Sequence, residues 1–483
     1  VDERPVAPDR KGLNLETSTT VADREGLWPA VRESLAGSHR DYTEGPIGHA
    51  ILLLAIPMVL ELALESVFAV VDVFFVSRLG ADAVATVGLT ESMLIIIYAV
   101  AMGLSVGAMA IVARRIGEKD RDGAARAAVQ AIALGVFVAV PIGICGATLA
   151  RPLLRVMGAT PGVVANGSYT KVMLGANGVI MMLFLINAVF RGAGDAAMAM
   201  RVLWLANAIN ICLDPCLIFG LGPFPRLGVT GAAVATTTGR AVGVLVQLCW
   251  LARQEGRIAI SRTHLELDPP VMFTMMRLSG SAVFQGLISN TSWVALVRIL
   301  ATFGSAALAG YTIALRVVLF ALLPAWGMAN AAATLVGQNL GAGKPDRAAS
   351  SAWRASFYNM LFLGAVSVVF VVFPVPLVAV FTSDPAVGTI AVRGLRTISS
   401  GFVFYAYGMV LTQAFNGAGD TLTPTAINVL CFWLCEIPIA YALSRTGGLG
   451  PSGVFWSIAI AYSLMALISA LLFRRGRWKL KSV

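Results

Sequence analysis

The chain holds 483 residues, 57% of them hydrophobic and 13% charged, with 48 glycines and a formal net charge of +10. A soluble domain of this size needs far more surface charge, which excludes an ordinary globular enzyme. The positive balance would suit nucleic acid, but residues 1–46 carry nine acids and six bases, so the excess sits in the short loops and tail of the apolar remainder, where it reads as a topology signal and argues against a nucleic-acid partner.

Residues 1–46 form a polar N-terminal tail without the apolar stretch of a signal peptide. A short membrane-surface helix around 27–35 competes with disorder there, and disorder is the expectation. From residue 47, long apolar segments recur to the end of the chain. Twelve spans are expected at 47–77, 82–113, 122–148, 163–190, 198–221, 227–252, 270–302, 306–337, 347–374, 388–414, 423–445 and 450–473. The fold class is therefore an all-α polytopic membrane protein. Even-numbered loops and the C-terminus hold nineteen basic residues against nine in the odd-numbered loops, which places both termini in the cytoplasm and the protein in the cell (inner) membrane. The basic tail 474–483, with its RRGRWKLK, then meets anionic lipid.

The chain repeats itself. LGADAVATVGL at 79–89 answers FGSAALAGYTI at 303–313, and VARRIGEKDRDGAARAA at 112–128 answers VGQNLGAGKPDRAASSA at 336–352, both at an offset of 224. FRGAGD at 190–195 answers FNGAGD at 415–420, and LGVTG at 227–231 answers LGPSG at 449–453. Six spans per repeat keep both halves in one orientation, so the halves are parallel repeats about an axis along the membrane normal. The expected organisation is an N-terminal lobe at 47–252, a cytoplasmic linker at 253–269 and a C-terminal lobe at 270–473. Two such bundles with a cleft between them suit a carrier, and one chain that supplies both predicts a monomer.

Span 1 carries Glu61, Glu65 and Asp72, spaced i, i+4, i+11, which at about 100° per residue point one way within roughly 40°. Charges inside a bilayer face a bundle interior or a water-filled cavity, so these acids predict a polar seam. Glu61 has a plainer alternative, a side chain that snorkels to the surface. Span 5 places Asn210 and Asp214 on one face, and Asp214 is expected at the depth of Asp72; Pro215 loosens the helix beside them. Span 6 brings Thr236 to Thr238 to a comparable depth. Two carboxylates, an amide oxygen and a hydroxyl make an oxygen-rich pocket for a hard cation or for protons, because two neighbouring acids in a low dielectric resist being ionised together. The alternative is a buried network that only fixes packing.

In the second half, Asp214 corresponds to Glu436 and Asp72 to Leu296, so cation chemistry is expected in the first lobe alone. Glu436 is a candidate for the substrate surface. Glu91 and Arg316 occupy nearly equivalent places in spans 2 and 8 and form a candidate gate pair across the cleft. Arg240 needs a partner that the sequence does not name. The six cysteines lie in apolar segments without a neighbouring histidine and read as small hydrophobes rather than metal ligands. No GxxxxGK[ST] motif, catalytic triad or metal cluster is legible, so no enzymatic cofactor is expected.

The pieces IPMVL…VVDVFFVSRLG, FRGAGD, NAINICLDPCLIFG followed by LGVTGAAVAT, and FNGAGD, in this order across 47–475, resemble the multidrug and toxic compound extrusion (MATE) family. The resemblance implies twelve helices in two lobes and export of organic cations or drugs, bulky and amphipathic, in exchange for H⁺ or Na⁺. It implies an N-lobe cation site of Asp72, Asn210, Asp214 and Thr236, a further polar position at Asn187, and a hinge at Pro57. The chain departs from the family pattern in span 7, where Ser281 and Ser289 replace a Pro and a Glu of many members. It departs also at Glu65, where a neutral residue is common; that added charge would draw cationic substrates. A flippase for a lipid-linked precursor is the alternative within the same superfamily. A channel is disfavoured, since buried unmatched acids in repeated bundles make no selectivity filter.

Overall fold

The computed structural model describes residues 27–38, 40–253 and 256–481. Among them the chain is helical throughout, with no strand, as backbone at membrane depth must be when no water is there to satisfy it. Helix α1 (Leu27–Ala36) precedes α2 (Ile47–Ser77), α3 (Ala81–Gly117), α4 (Arg121–Val156), α5 (Pro161–Ala165), α6 (Gly167–Gly175), α7 (Asn177–Ala193), α8 (Ala196–Phe219) and α9 (Val229–Ala252). The second half comprises α10 (Pro269–Ala301), α11 (Ser305–Gly341), α12 (Pro345–Val372), α13 (Pro374–Ala379), α14 (Pro385–Ser400), α15 (Phe402–Gly417), α16 (Leu422–Asn428), α17 (Ile437–Tyr441) and α18 (Pro451–Arg474).

Among the described residues ten helical stretches, one of them Leu422–Thr446 with its π-helical turns, are long and apolar enough to cross a membrane, and α6 with α7, bent by 41°, makes one more, at the place of the expected fourth span. The tenth expected span, 388–414, is built from two 16-residue helices, α14 and α15, that meet at Gly401. Both breaks fall at equivalent places of the repeat, Ala176 and Gly401, an offset of 225. At Gly401 a Cβ would come within 3.1 Å of Ala459 of α18, so a close helix crossing lies at the break. The eleventh span is widened instead: π-helical turns cover Val429–Glu436 and Ala442–Thr446 on either side of α17, which contains Pro438.

The repeat is legible in the backbone. Gly80 and Gly304, at the starts of α3 and α11, share φ of 101° and 97°; Gly228 and Gly450, before α9 and α18, share 58° and 55°. The FRGAGD motif stops α7 at the left-handed Gly194 and starts α8 with Asp195, whose carboxylate accepts from the Met198 amide at 3.3 Å.

Two apolar cores follow the two halves, but each borrows from the other. Ile51, Leu54 and Met58 of α2 belong to the second core, and Met275 and Leu278 of α10 to the first. The lobes touch where side chains are absent. A Cβ on Gly117 would strike the Gln338 carbonyl, one on Gly341 the Arg114 carbonyl, and one on Gly327 the backbone of Met58 and Val59. These crossings run from mid-depth of the bundle to the end that carries residues 42–46 and 477–481, here termed the terminal end.

Two segments differ from expectation. Within 1–46, where disorder was expected, α1 packs against α2 and α8, buries Ala30 and Ser34, and has its Leu35 carbonyl held by Arg201 at 2.6 Å. The burial of Ala30 and Ser34 and the Arg201 bond supply the order that composition alone concealed; residues 1–26 lie outside the described part. The described part of the basic tail, 474–481, does not simply face lipid; 482 and 483 lie outside the described residues. Trp478 is buried against Phe473 with ring centroids 4.4 Å apart, and Lys479 pairs with Asp346 at 2.8 Å.

Candidate functional site

The three acids of α2 do share a face, and each meets its own set of partners in the first lobe. Nearest the terminal end, Glu61 is 3% exposed. Its Oε1 accepts from Arg191 Nη1 and from Asn187 Nδ2, both at 3.1 Å, and Gln247 Nε2 donates to Asn187 Oδ1 at 2.6 Å. Glu61 therefore does not snorkel. Arg191 stands one turn after Asn187 in α7, so the two reach the same carboxylate.

One turn along α2, about 6 Å further at 1.5 Å per residue, Glu65 supplies the partner that Arg240 lacked in the sequence. Arg240 Nη2 lies 3.6 Å from Glu65 Oε1, its Nη1 donates to Tyr98 Oη at 3.2 Å, and Asn207 Nδ2 donates to Glu65 Oε2 at 3.1 Å. Glu65 is thus an anchored half of an ion pair rather than a bare charge.

Asp72, about 10 Å beyond Glu65, lies within electrostatic reach of Asp214, Glu91 and Arg240. Helices α8 and α9 cross closely because glycines stand at the crossing: a Cβ on Gly239 would strike the Ala206 carbonyl and one on Gly231 the Leu217 carbonyl. That approach brings Asn210 Nδ2 to Thr236 Oγ1 at 2.7 Å. Asp214 is fully buried. Both of its carboxylate oxygens, the Asn210 amide oxygen and Asp72 Oδ1 are buried without a hydrogen-bond partner among the described residues. Oxygens in that condition are costly unless a proton or a cation meets them, so this donor set fits either.

Elsewhere the candidates fare differently. Pro57 lies inside α2, which runs unbroken from Ile47 to Ser77. No ion pair joins Glu91 to Arg316 among the described residues; both side chains are exposed, and the charge that Asp72 feels from α3 is that of Glu91. Matched depth alone does not bring two long side chains together. In the second lobe Glu436, 4% exposed, ends the first π-helical stretch and accepts from Ser292 Oγ at 2.6 Å. Leu296, the counterpart of Asp72 across the repeat, is buried and apolar. The sequence reading missed Arg191, Tyr98, Asn207 and Gln247. Only Arg191 carried a signal, its i, i+4 relation to Asn187.

The chain covers relatives of known kind almost end to end. The family model MatE matches residues 57–216 and 282–442. A probable multidrug resistance protein NorM of Thermotoga maritima is 27% identical over 460 residues, 94% of this chain and 98% of that one. An FAD transporter of Shewanella oneidensis is 25% identical over 442 residues, 89% of this chain and 95% of that one. A solved structure of a multidrug resistance MATE family transporter in an outward-facing conformation superposes with a TM-score of 0.85 at 27% identity, covering 94% of this chain and 99% of that one. Such matches extend over both lobes and the seam between α2, α8 and α9. The chain belongs to the MATE family: it is a multi-pass membrane transporter with the two-lobed helical fold of that family, not an enzyme.

Proposed function

We propose that the protein is a secondary antiporter that exports organic cations or drugs from the cytoplasm while H⁺ or Na⁺ enters, by alternating access, as a monomer of the cell membrane with both termini inside. The observation that carries this reading is the set of buried, partnerless oxygens on Asp72, Asn210 and Asp214 beside Thr236. A proton on one carboxyl, or a sodium ion among the oxygens, removes the cost of holding them away from water, so occupancy and local structure are linked.

The same helix offers a route for that linkage. The distal half of α2 carries Asp72, and its first half packs against α11 of the other lobe through Met58 and Gly327. A change of charge at Asp72 thus acts on a helix shared by both lobes, with Pro57 beside the contact. Glu61 and Glu65, tied to Arg191 and Arg240, keep the seam polar and aligned on the way. Export in this scheme follows from competition: cation entry from outside favours one packing of α2, and substrate release accompanies it.

The test is transport in liposomes of a fluorescent organic cation under an imposed H⁺ or Na⁺ gradient, with Asp72→Asn beside the wild type. One gradient should drive transport, and the variant should abolish it. Unchanged transport in Asp72→Asn would remove the site, and silence under both gradients for every cation tried would favour other cargo. A second reading, an anionic dinucleotide as substrate, is supported by the FAD transporter relative. A lipid-linked precursor, as in a flippase, is the third; it calls for a basic cleft, whereas α2 lines this one with acids.

A further inference from the structure

At the terminal end, away from the α2 seam, lies a cavity of 330 Å³ whose walls carry Arg40, Lys119, Arg121 and Arg257 against a single carboxylate, Asp41, with Gln338 closing one side. Burial pulls the Asp41 carboxyl up, but the Thr43 hydroxyl and amide and the charges of Lys119 and Lys344 outweigh it and hold Asp41 below its ordinary value, so it stays ionised. Arg40 is engaged by Glu33 at 2.8 Å, and Lys119 reaches Asp41 only at 4.0 Å. Arg257 is fixed by neutral acceptors: it donates to the carbonyls of Ser38, Arg40 and Ala193 at 2.8, 2.7 and 3.2 Å, and its guanidinium lies over the Tyr42 ring at 4.6 Å.

A topology signal accounts for basic residues on this end, but not for where Lys119 stands. Lys119 is the one described residue other than glycine with positive φ, 62°. Its counterpart in the repeat, at an offset of 224, is Gly343 with φ 68°. The same helix-ending turn is thus made twice, once with the residue that suits it and once with a lysine that does not. A strained backbone that puts a cation on a cavity wall marks the cavity as the feature of interest.

We propose that this cavity binds a phosphate group, held by Lys119, Arg121 and Arg257, from either an anionic phospholipid headgroup or a soluble phosphate. Planar guanidinium groups and an ammonium match phosphate oxygens in charge and geometry, and 330 Å³ accommodates a small polar head. The walls come from the strap before α2, the α3–α4 turn, the linker after α9, and α11 of the other lobe. A bound phosphate therefore joins elements that part when the lobes separate at this end. The inference stands independently of what is transported.

The experiment follows thermal unfolding of the full chain in detergent by tryptophan fluorescence, since a ligand of the folded state raises the transition. One arm titrates phosphatidylglycerol against phosphatidylcholine in mixed micelles; the other titrates sodium phosphate against sodium chloride at matched ionic strength. Saturable stabilisation is expected in at least one arm, and which arm responds identifies the source. Lys119→Gly, which suits the turn, and Arg121→Gln should each weaken the midpoint about tenfold, while Arg253→Gln, an exposed arginine outside the cavity, should leave it in place. No saturable response in either arm, or an equal loss in Arg253→Gln, overturns the proposal.

Discussion

Replacing Arg191 by Leu removes the cation from a carboxylate that is 3% exposed, leaving Glu61 with the Asn187 amide as its remaining donor. Breaking a buried pair by deleting one partner costs about 3–5 kcal/mol, because the other charge stays behind uncompensated. That corresponds to roughly two to three and a half decades in the ratio of folded to unfolded protein. Adding Glu61→Gln to the same chain takes the stranded charge away, keeps a side chain that Asn187 can still bond, and should return at least about 2 kcal/mol of the loss. The assay is equilibrium unfolding in mixed micelles for the wild type, both single variants and the double variant, read as a cycle. A cost for Arg191→Leu below about 1 kcal/mol, with no return in the double variant, would show that the 3.1 Å contact carries no weight and that the polar seam of α2 is not tied to α7.

Other expectations follow from single contacts. Thr236→Val deletes the 2.7 Å bond from Asn210 and should weaken coupling-ion affinity about fivefold, with Thr236→Ser restoring it, as measured by ion dependence of transport. Gly117→Leu places a side chain against the Gln338 carbonyl at the lobe contact, and should widen spin-label distances across the terminal end without touching the ion site. Glu91→Gln should alter the ion dependence of transport through Asp72, while Arg316→Ala should not; a double-mutant cycle between the two should show coupling near zero.

The architecture was legible because membrane helices obey few rules. Ile47–Ser77 matches the expected first span at both ends, since Pro46 and the turn after Ser77 bound one apolar run. The spans that differed are those where helix–helix contact, not hydropathy, decides the backbone. Gly401, for one, stands against Ala459 of α18, far away in sequence. The same division holds at the site. The common face of Glu61, Glu65 and Asp72 follows from helical spacing, and the approach of Asn210 to Thr236 follows from matched depth. The pairing of Arg240 with Glu65 and Tyr98 joins three helices, α9, α2 and α3, and no local pattern announces it. Glu91 and Arg316 are both exposed and unpaired with each other among the described residues, and equal depth does not fix azimuth.

The two halves began from one plan, and their differences are chemical. The same glycine turns and the same paired helix breaks recur in both, yet where the first lobe has Asp72 the second has buried Leu296, and where the first has Asp214 the second has Glu436 bonded to Ser292. One acid satisfied by a hydroxyl is a quieter neighbour than carboxylate oxygens left without partners, so the energetic imbalance sits in the first lobe. A carrier whose halves were chemically alike would have no preferred place for a driving ion to act. Here the imbalance lies along α2, the helix whose other half is embedded in the second lobe's core. In the proposed scheme the repeat supplies two bodies that move against each other, and its departures from symmetry supply the point at which an ion would bias that motion.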